Sequence, residues 1–165
     1  MSFLDAYRVK TLLPLTDSWH IIKTEYDSIR HRATEWHENI HNGRWSVIGL
    51  GFRGQDLSMQ SDAPVTTKLC KNIPGIFTYG FSIMRPGCII EPHCGYTSEV
   101  LRIHLGIYVN KRAAINVGGE IREWEAGRLL MFDDTQIHSA WNKGGEERVV
   151  LLLDVKRSEM SSYLS

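Results

Sequence analysis

A chain of 165 residues, 42 % hydrophobic and 23 % charged, has the length and balance of one folded domain with a buried core. Nineteen Lys and Arg set against nineteen Asp and Glu leave no basic stripe for nucleic acid and no polybasic cluster for a lipid surface. No apolar run nears the roughly 20 residues of a membrane helix, no signal peptide or membrane anchor is visible, and the odd cysteine count (Cys70, Cys88, Cys94) reads as small hydrophobes of a cytoplasmic protein, not a disulfide framework.

Residues 1–42 read as helical. Asp17 or Ser18 caps a helix that runs through Trp19, Ile22 and Tyr26 toward Trp36, and Asn42-Gly43 stops it. His37-Glu38-Asn39-Ile40-His41 matches the H-E-x-x-H pattern of zinc proteases. Because Asn42-Gly43 ends the helix at once, a polar helix end is the preferred reading.

From Trp45 the pattern changes to strands and turns. Trp45–Phe52 is apolar with scattered glycine. Residues 53–75 read as a polar loop with a short helix, closed by Pro74-Gly75. In Thr78–Met84 one face holds Tyr79, Phe81 and Ile83, and the other Gly80, Ser82 and Met84. In Leu101–Val109 the odd positions are apolar, while Arg102, His104, Gly106 and Tyr108 share the opposite face. Gly118-Gly119 is a hairpin turn between Ala114–Val117 and Glu120–Trp124. Ala126-Gly127 precedes Leu129–Phe132, and Arg148–Val155 is a long apolar strand with Arg148, Val150 and Leu152 on one side.

Short strands at regular spacing predict a sandwich or small barrel. Its polar faces carry Arg, His and Ser where a solvent face would carry Lys, Glu and Gln. These faces therefore line a lumen, and the apolar faces pack outward against the N-terminal helices. The whole of 1–165 reads as a single domain, with a helical part over 1–42 and a β-barrel core over 43–156.

Inside that lumen the spacing of a few residues points to chemistry. His93 follows Pro92 at a glycine-containing turn, and His138 opens a strand-like return 45 positions later. Neutral imidazoles are common ligands for borderline metals, and two of them with open positions suit iron(II) bound to a keto-acid and oxygen. The carboxylate that often stands two residues after the first histidine is replaced by Gly95. A keto-acid needs a cation for its distal carboxylate. Arg148 supplies a bidentate one, and Ser82 adds a hydroxyl. Arg102 and His104 reach into the same space, where burying them unpaired would cost several kcal/mol.

The motifs Phe81-Ser82-Ile83-Met84-x-Pro86-Gly87, Pro92-His93-x-Gly95, Leu101-Arg102-x-His104-Leu105-Gly106, Trp124-Glu125-x-Gly127, Phe132-Asp133-Asp134 with His138 and Trp141, and Arg148 occur in that order. Together they resemble the aspartyl/asparaginyl β-hydroxylases, iron(II)- and 2-oxoglutarate-dependent dioxygenases, and the form is that of a free-standing bacterial-type catalytic domain. The resemblance implies a double-stranded β-helix, a jelly-roll or cupin-like barrel. It implies iron ligands His93 and His138, and 2-oxoglutarate contacts from Ser82, Arg102, His104 and Arg148. It also implies Trp45 near the pocket mouth and Asp134 as a carboxylate that holds an iron-bound water. Fe(II), 2-oxoglutarate and O2 are the implied cofactor and co-substrates. Gly80 departs from the animal enzymes, which have a lysine there.

The substrate class read from these residues is an amino acid, free, in a peptide or carrier-bound, hydroxylated at its β-carbon. Arg44, Arg53 and Arg102 are each candidates for its carboxylate. Two alternatives stay open: a keto-acid-dependent halogenase, which Asp134 would disfavour by repelling chloride, and a non-catalytic barrel that binds a small acid or a metal.

Overall fold

Alternation along the longest strands decides which side chains meet the helices and which meet the lumen. The computed structural model describes residues 2–165. In chain order the elements are β1 (Phe3–Leu4), α1 (Leu13–Asp17), α2 (Trp19–Ile29), β2 (Thr34–Glu35), β3 (Trp45–Phe52), β4 (Gln55–Asp56), α3 (Pro64–Lys71), β5 (Ile76–Met84), β6 (Ile89–His93) and β7 (Val100–Tyr108). There follow β8 (Ala113–Val117), β9 (Glu120–Arg122), β10 (Leu129–Phe132), β11 (His138–Asn142), β12 (Arg148–Lys156) and α4 (Ser161–Leu164).

The strands form two antiparallel sheets, a larger one in the order β1-β10-β7-β12-β5-β3-β2 with β4 added to β3, and a smaller one in the order β6-β11-β8-β9. The result is the jelly-roll expected from the sequence. Ile103, Leu105, Phe81, Ile83, Leu151 and Leu153 face outward and join Ile22, Tyr26 and Ile29 of α2 in one core. Spacing those three residues at i, i+4 and i+7 makes one helical stripe, and Tyr26 packs its ring 5.1 Å from that of Phe81. Each such side chain contributes on the order of 1.5–3 kcal/mol when fully buried. The opposite faces of the same strands meet the smaller sheet in a second core that includes Met84, Cys88, Ile90, Trp124, Phe132, Val150 and Leu152.

The N-terminal part differs from expectation. The helix ends at Ile29 and passes through a 3-10 turn at Arg30–Arg32 instead of reaching Trp36. Arg30-His31-Arg32 offers no apolar residue to continue the buried stripe. Thr34 and Glu35 instead pair with Val47 and Ser46 of β3, and Trp36 stacks on Trp45 at 4.4 Å. Of the two expected caps, Asp17 ends α1, and Ser18 takes the N-cap position of α2, its carbonyl accepting from Ile22 N at 3.1 Å but its side chain making no capping bond. The segment Phe3–Leu4, read as part of the helical region, pairs as a strand with Met131 and Phe132. The strand expected over Glu120–Trp124 stops at Arg122, and Trp124 turns inward to become buried. Cys70 and Cys88 are buried as expected, whereas Cys94 is exposed; no disulfide is formed among the described residues.

Candidate active site

The lumen between the sheets is lined by Trp45, Ser82, His93, Arg102, His104, Trp124, Phe132, His138 and Arg148, with Ile90, Ala140 and Leu152 as apolar wall. Strand alternation puts the polar members there: Ser82 from β5, Arg102 and His104 from β7, Arg148 from β12. All are buried.

His93 ends β6 and His138 begins β11, and the two are direct partners in the sheet register. Their ring centroids lie 4.2 Å apart. Each Nδ1 faces a backbone carbonyl, Glu91 O at 2.7 Å and Gln136 O at 2.8 Å. A carbonyl oxygen only accepts, so each Nδ1 carries the proton and each Nε2 keeps its lone pair. This is the tautomer that a metal-ligating histidine needs, held by the backbone. Burial pushes the His138 imidazole down to about 4, which keeps that lone pair available at neutral pH.

Arg148 lies at the other side of the lumen. Its Nη2 donates to Ser82 Oγ at 2.8 Å and to Ser82 O at 3.1 Å, and its guanidinium sits 4.5 Å from the Trp124 ring. Its Nε has no partner, and among the described residues no carboxylate pairs with it. Burial pushes the guanidinium down to about 9. Ser82 Oγ also accepts from Trp45 Nε1 at 2.9 Å. With both of its acceptor directions used, its own proton is left to donate. Trp124 Nε1 donates to His104 Nδ1 at 3.0 Å, which puts the His104 proton on Nε2, another buried atom without a partner. Burial holds the His104 imidazole well below its ordinary value, so it is a neutral donor. An unpaired buried cation, two orphaned donors and a free hydroxyl proton around one space form a receptor for an anion.

Arg102 is differently placed. Its Nε and Nη2 form a bidentate pair with Asp154 Oδ1 and Oδ2 at 2.8 and 2.9 Å, and its Nη2 stands 3.6 Å from Asp134 Oδ2. Burial works against the Arg102 charge, but the Asp154 carboxylate outweighs it and raises the guanidinium above its ordinary value. Asp134 is fully buried and neither carboxylate oxygen has a hydrogen-bond donor. Burial raises its carboxyl to about 6, against the pull of Arg102. The Asp134 carboxylate fills the volume beside Gly95 where a side chain would stand, and Gly95 N donates to Asp134 O at 2.6 Å. Among the described residues no three His, Cys, Asp or Glu side chains form a metal-holding group.

Residues 16–158 match the family model described as aspartyl/asparaginyl beta-hydroxylase. The chain belongs to the aspartyl/asparaginyl β-hydroxylase family. It is 38 % identical over 115 residues to an ornithine lipid ester-linked acyl 2-hydroxylase of Rhizobium tropici, a match covering 67 % of this chain and 41 % of that protein. It is 30 % identical over 161 residues to the aspartyl/asparaginyl beta-hydroxylase of Homo sapiens, covering 89 % of this chain and 21 % of that protein. The chain thus spans less than half the length of these curated relatives. A prolyl-4-hydroxylase of Pseudomonas putida superposes with a TM-score of 0.56 over 88 % of this chain and 98 % of that one, at 15 % identity; this likeness shows the fold.

In this member of the β-hydroxylase family the structure gathers the eight residues expected to serve the metal and the keto-acid, Trp45, Ser82, His93, Arg102, His104, Asp134, His138 and Arg148, around the lumen or against its wall. Trp45 is placed more deeply than a pocket mouth: it is 4 % exposed and acts on the lumen through Ser82. Gly80 lies so close to the Ile48 carbonyl and to Gly49 Cα that the position has no room for a side chain, which explains the missing lysine. The zinc-protease pattern falls on an irregular segment, not a helix. His41 there is already engaged, Nδ1 accepting from Gly43 N and Nε2 facing Trp36 O. Asp154, Tyr96, Trp124 and Phe132 were not singled out as site residues. Asp154 continues the inward series Arg148, Val150, Leu152, and that alternation was the available signal.

Proposed function

We propose that this chain is an iron(II)- and 2-oxoglutarate-dependent dioxygenase that hydroxylates an unactivated carbon, the β-carbon of an Asp/Asn-like amino acid, free, in a peptide or carrier-bound. One observation carries the reading: the buried Arg148 guanidinium, without a carboxylate partner, faces a lumen shared with two histidines whose Nε2 lone pairs are free. His93 and His138 would hold the metal through Nε2. Arg148, with the Ser82 hydroxyl, would bind the distal carboxylate of 2-oxoglutarate. The His104 Nε2 proton, and the part of Arg102 not covered by Asp154, would meet its other end. Bound iron(II) would supply oxygen activation coupled to oxidative decarboxylation of the keto-acid.

The protein's own part is orientation and exclusion. Trp45, Trp124, Phe132 and Leu152 keep water from the lumen, and the backbone carbonyls of Glu91 and Gln136 hold both imidazoles in the ligating tautomer. The Asp134 carboxylate takes the space of a Gly95 side chain; if it holds a metal-bound water there it would repel a chloride, since two negative charges in one buried space repel, and this supports hydroxylation over halogenation. A non-catalytic barrel would have no need for both a lone buried cation and paired imidazoles. We also read 1–165 as one catalytic domain, because the outer core joins the N-terminal helices to the larger sheet. Its working compartment is proposed as the cytoplasm, on cysteine usage; no helix among the described residues is long and apolar enough to cross a membrane.

The test is an anaerobic titration of 2-oxoglutarate into the iron(II)-loaded protein, following the weak visible metal-to-ligand charge-transfer band. A band that His93→Ala abolishes supports the reading; a folded, iron-loaded protein with no band sinks it. Similarity to the Rhizobium tropici lipid hydroxylase favours a second reading, hydroxylation of a lipid acyl chain. A mass gain of one oxygen on an acyl chain and none on an amino acid would select it.

A further inference from the structure

Three arginines are candidates for a substrate carboxylate, and the structure separates them. Arg102 is already paired with Asp154. Arg44 donates to Pro86 O at 3.3 Å, at the end of β3 away from the His93 loop. Arg53 alone of the three has a guanidinium that forms no hydrogen bond or ion pair among the described residues.

Its backbone is also out of keeping with its identity. Phe52 and Gln55 pair across the hairpin, and the two central residues are Arg53 at φ 48° and Gly54 at φ 81°. A two-residue turn with both φ values positive favours Asn, Asp or Gly at its first position. Arg53 is the one non-glycine residue in that region among the described residues. An arginine there works against the local backbone preference, and such conflicts concentrate where a side chain serves function.

The turn is held in place and its side chain is aimed. Arg53 N donates to Thr78 Oγ1 at 3.1 Å, and Gly54 N to Phe77 O at 2.8 Å. The guanidinium lies 5.0 Å from the Phe52 ring and 4.6 Å from the Tyr96 ring. Tyr96 follows His93 by three residues, and its hydroxyl donates to Asp154 Oδ2 at 3.1 Å, the carboxylate that clamps Arg102 in the lumen. Arg53 therefore packs against Tyr96, in the segment that follows His93, and its guanidinium is left without a hydrogen bond or ion pair among the described residues. Planar, aromatic-backed guanidinium favours bidentate contact with a carboxylate.

We propose that Arg53, backed by Phe52 and Tyr96, forms a rim subsite that holds a carboxylate of the substrate while the carbon to be hydroxylated lies inside the lumen. This rests on the dioxygenase reading above for what enters the lumen, but binding tests it separately. The probes are N-acetyl-L-aspartate α-amide, its neutral partner N-acetyl-L-asparagine α-amide, and sn-glycerol 3-phosphate. Each is titrated by calorimetry into the anaerobic full chain loaded with iron(II) and 2-oxoglutarate, as wild type, Arg53→Asn and Arg53→Lys. Asparagine suits the left-handed turn, so Arg53→Asn should melt no lower than wild type, and any loss of binding is then not a loss of fold.

The proposal predicts that the aspartate probe binds wild type at least tenfold more tightly than the asparagine probe. It predicts that Arg53→Asn removes that preference and Arg53→Lys restores part of it. Equal binding of the aspartate probe by wild type and Arg53→Asn, or no binding of it by wild type, overturns the proposal. Binding of the glycerol phosphate alone, dependent on Arg53, overturns the carboxylate assignment in favour of a headgroup phosphate. The charge-transfer band is recorded on the same samples. A band with Arg53-independent binding sinks only the rim subsite; no band with Arg53-dependent binding sinks only the dioxygenase reading.

Discussion

The carboxylate of Asp134 occupies the place that a side chain on Gly95 would take. Gly95 is two residues after His93, where a carboxylate ligand stands in many two-histidine iron sites. A carboxylate is therefore present in that region, delivered by the loop before β11 instead of by the turn after β6.

Gly95→Ala should destabilise the protein by about 1–3 kcal/mol, because the added methyl overlaps a buried, immobile group. Asp134→Gly in the same chain should relieve it. A double-mutant cycle by urea unfolding checks this, with a coupling of at least ~1 kcal/mol expected for groups in direct contact. Additive effects would mean that the two positions do not share the space.

Asp134 also sets a pH dependence. Burial raises its carboxyl to about 6, above the ~3.9 of an unfolded chain. The folded state binds this proton more tightly, so its stabilisation is fully present below about pH 4 and is lost as pH rises through 6. Asp134→Asn cannot ionise. In metal-free protein its stability relative to wild type should increase between pH 4 and 6, by on the order of 2 kcal/mol. Melts across that range would show a constant difference if the carboxylate ionises without penalty.

Arg148→Met keeps an unbranched apolar stem and removes the guanidinium with its charge. The 2-oxoglutarate requirement should rise at least ~100-fold, about 2.8 kcal/mol at 1.4 kcal/mol per tenfold. Metal-free stability should hold or increase, since a lone buried cation is replaced by an apolar chain. An unchanged requirement would remove Arg148 as the clamp.

Trp45→Phe should weaken 2-oxoglutarate binding about fivefold, through loss of one hydrogen bond worth ~1 kcal/mol that positions Ser82. Iron binding should stay. Loss of iron with the same substitution would show that Trp45 supports the histidines and not the anion end.

Period-two alternation is a local property, and it was enough to put Ser82, Arg102, His104 and Arg148 on inward faces before any strand was paired. The spacing of His93, His138 and Arg148 was equally legible, as was the outward packing of the apolar faces under α2. The end of that helix was not: Arg30-His31-Arg32 removes its apolar stripe, but the pull of Thr34 and Glu35 onto β3 depends on a partner strand. The same holds for the connections inside the lumen. Asp154 meets Arg102 because β12 and β7 pair in one register, Trp45 reaches Ser82 because β3 lies beside β5, and Asp134 fills the space at Gly95 because two loops from different strands close on each other. Which face a residue takes follows from its own strand. Which residue it meets follows from strand order and register, and these are settled by the burial of both cores at once.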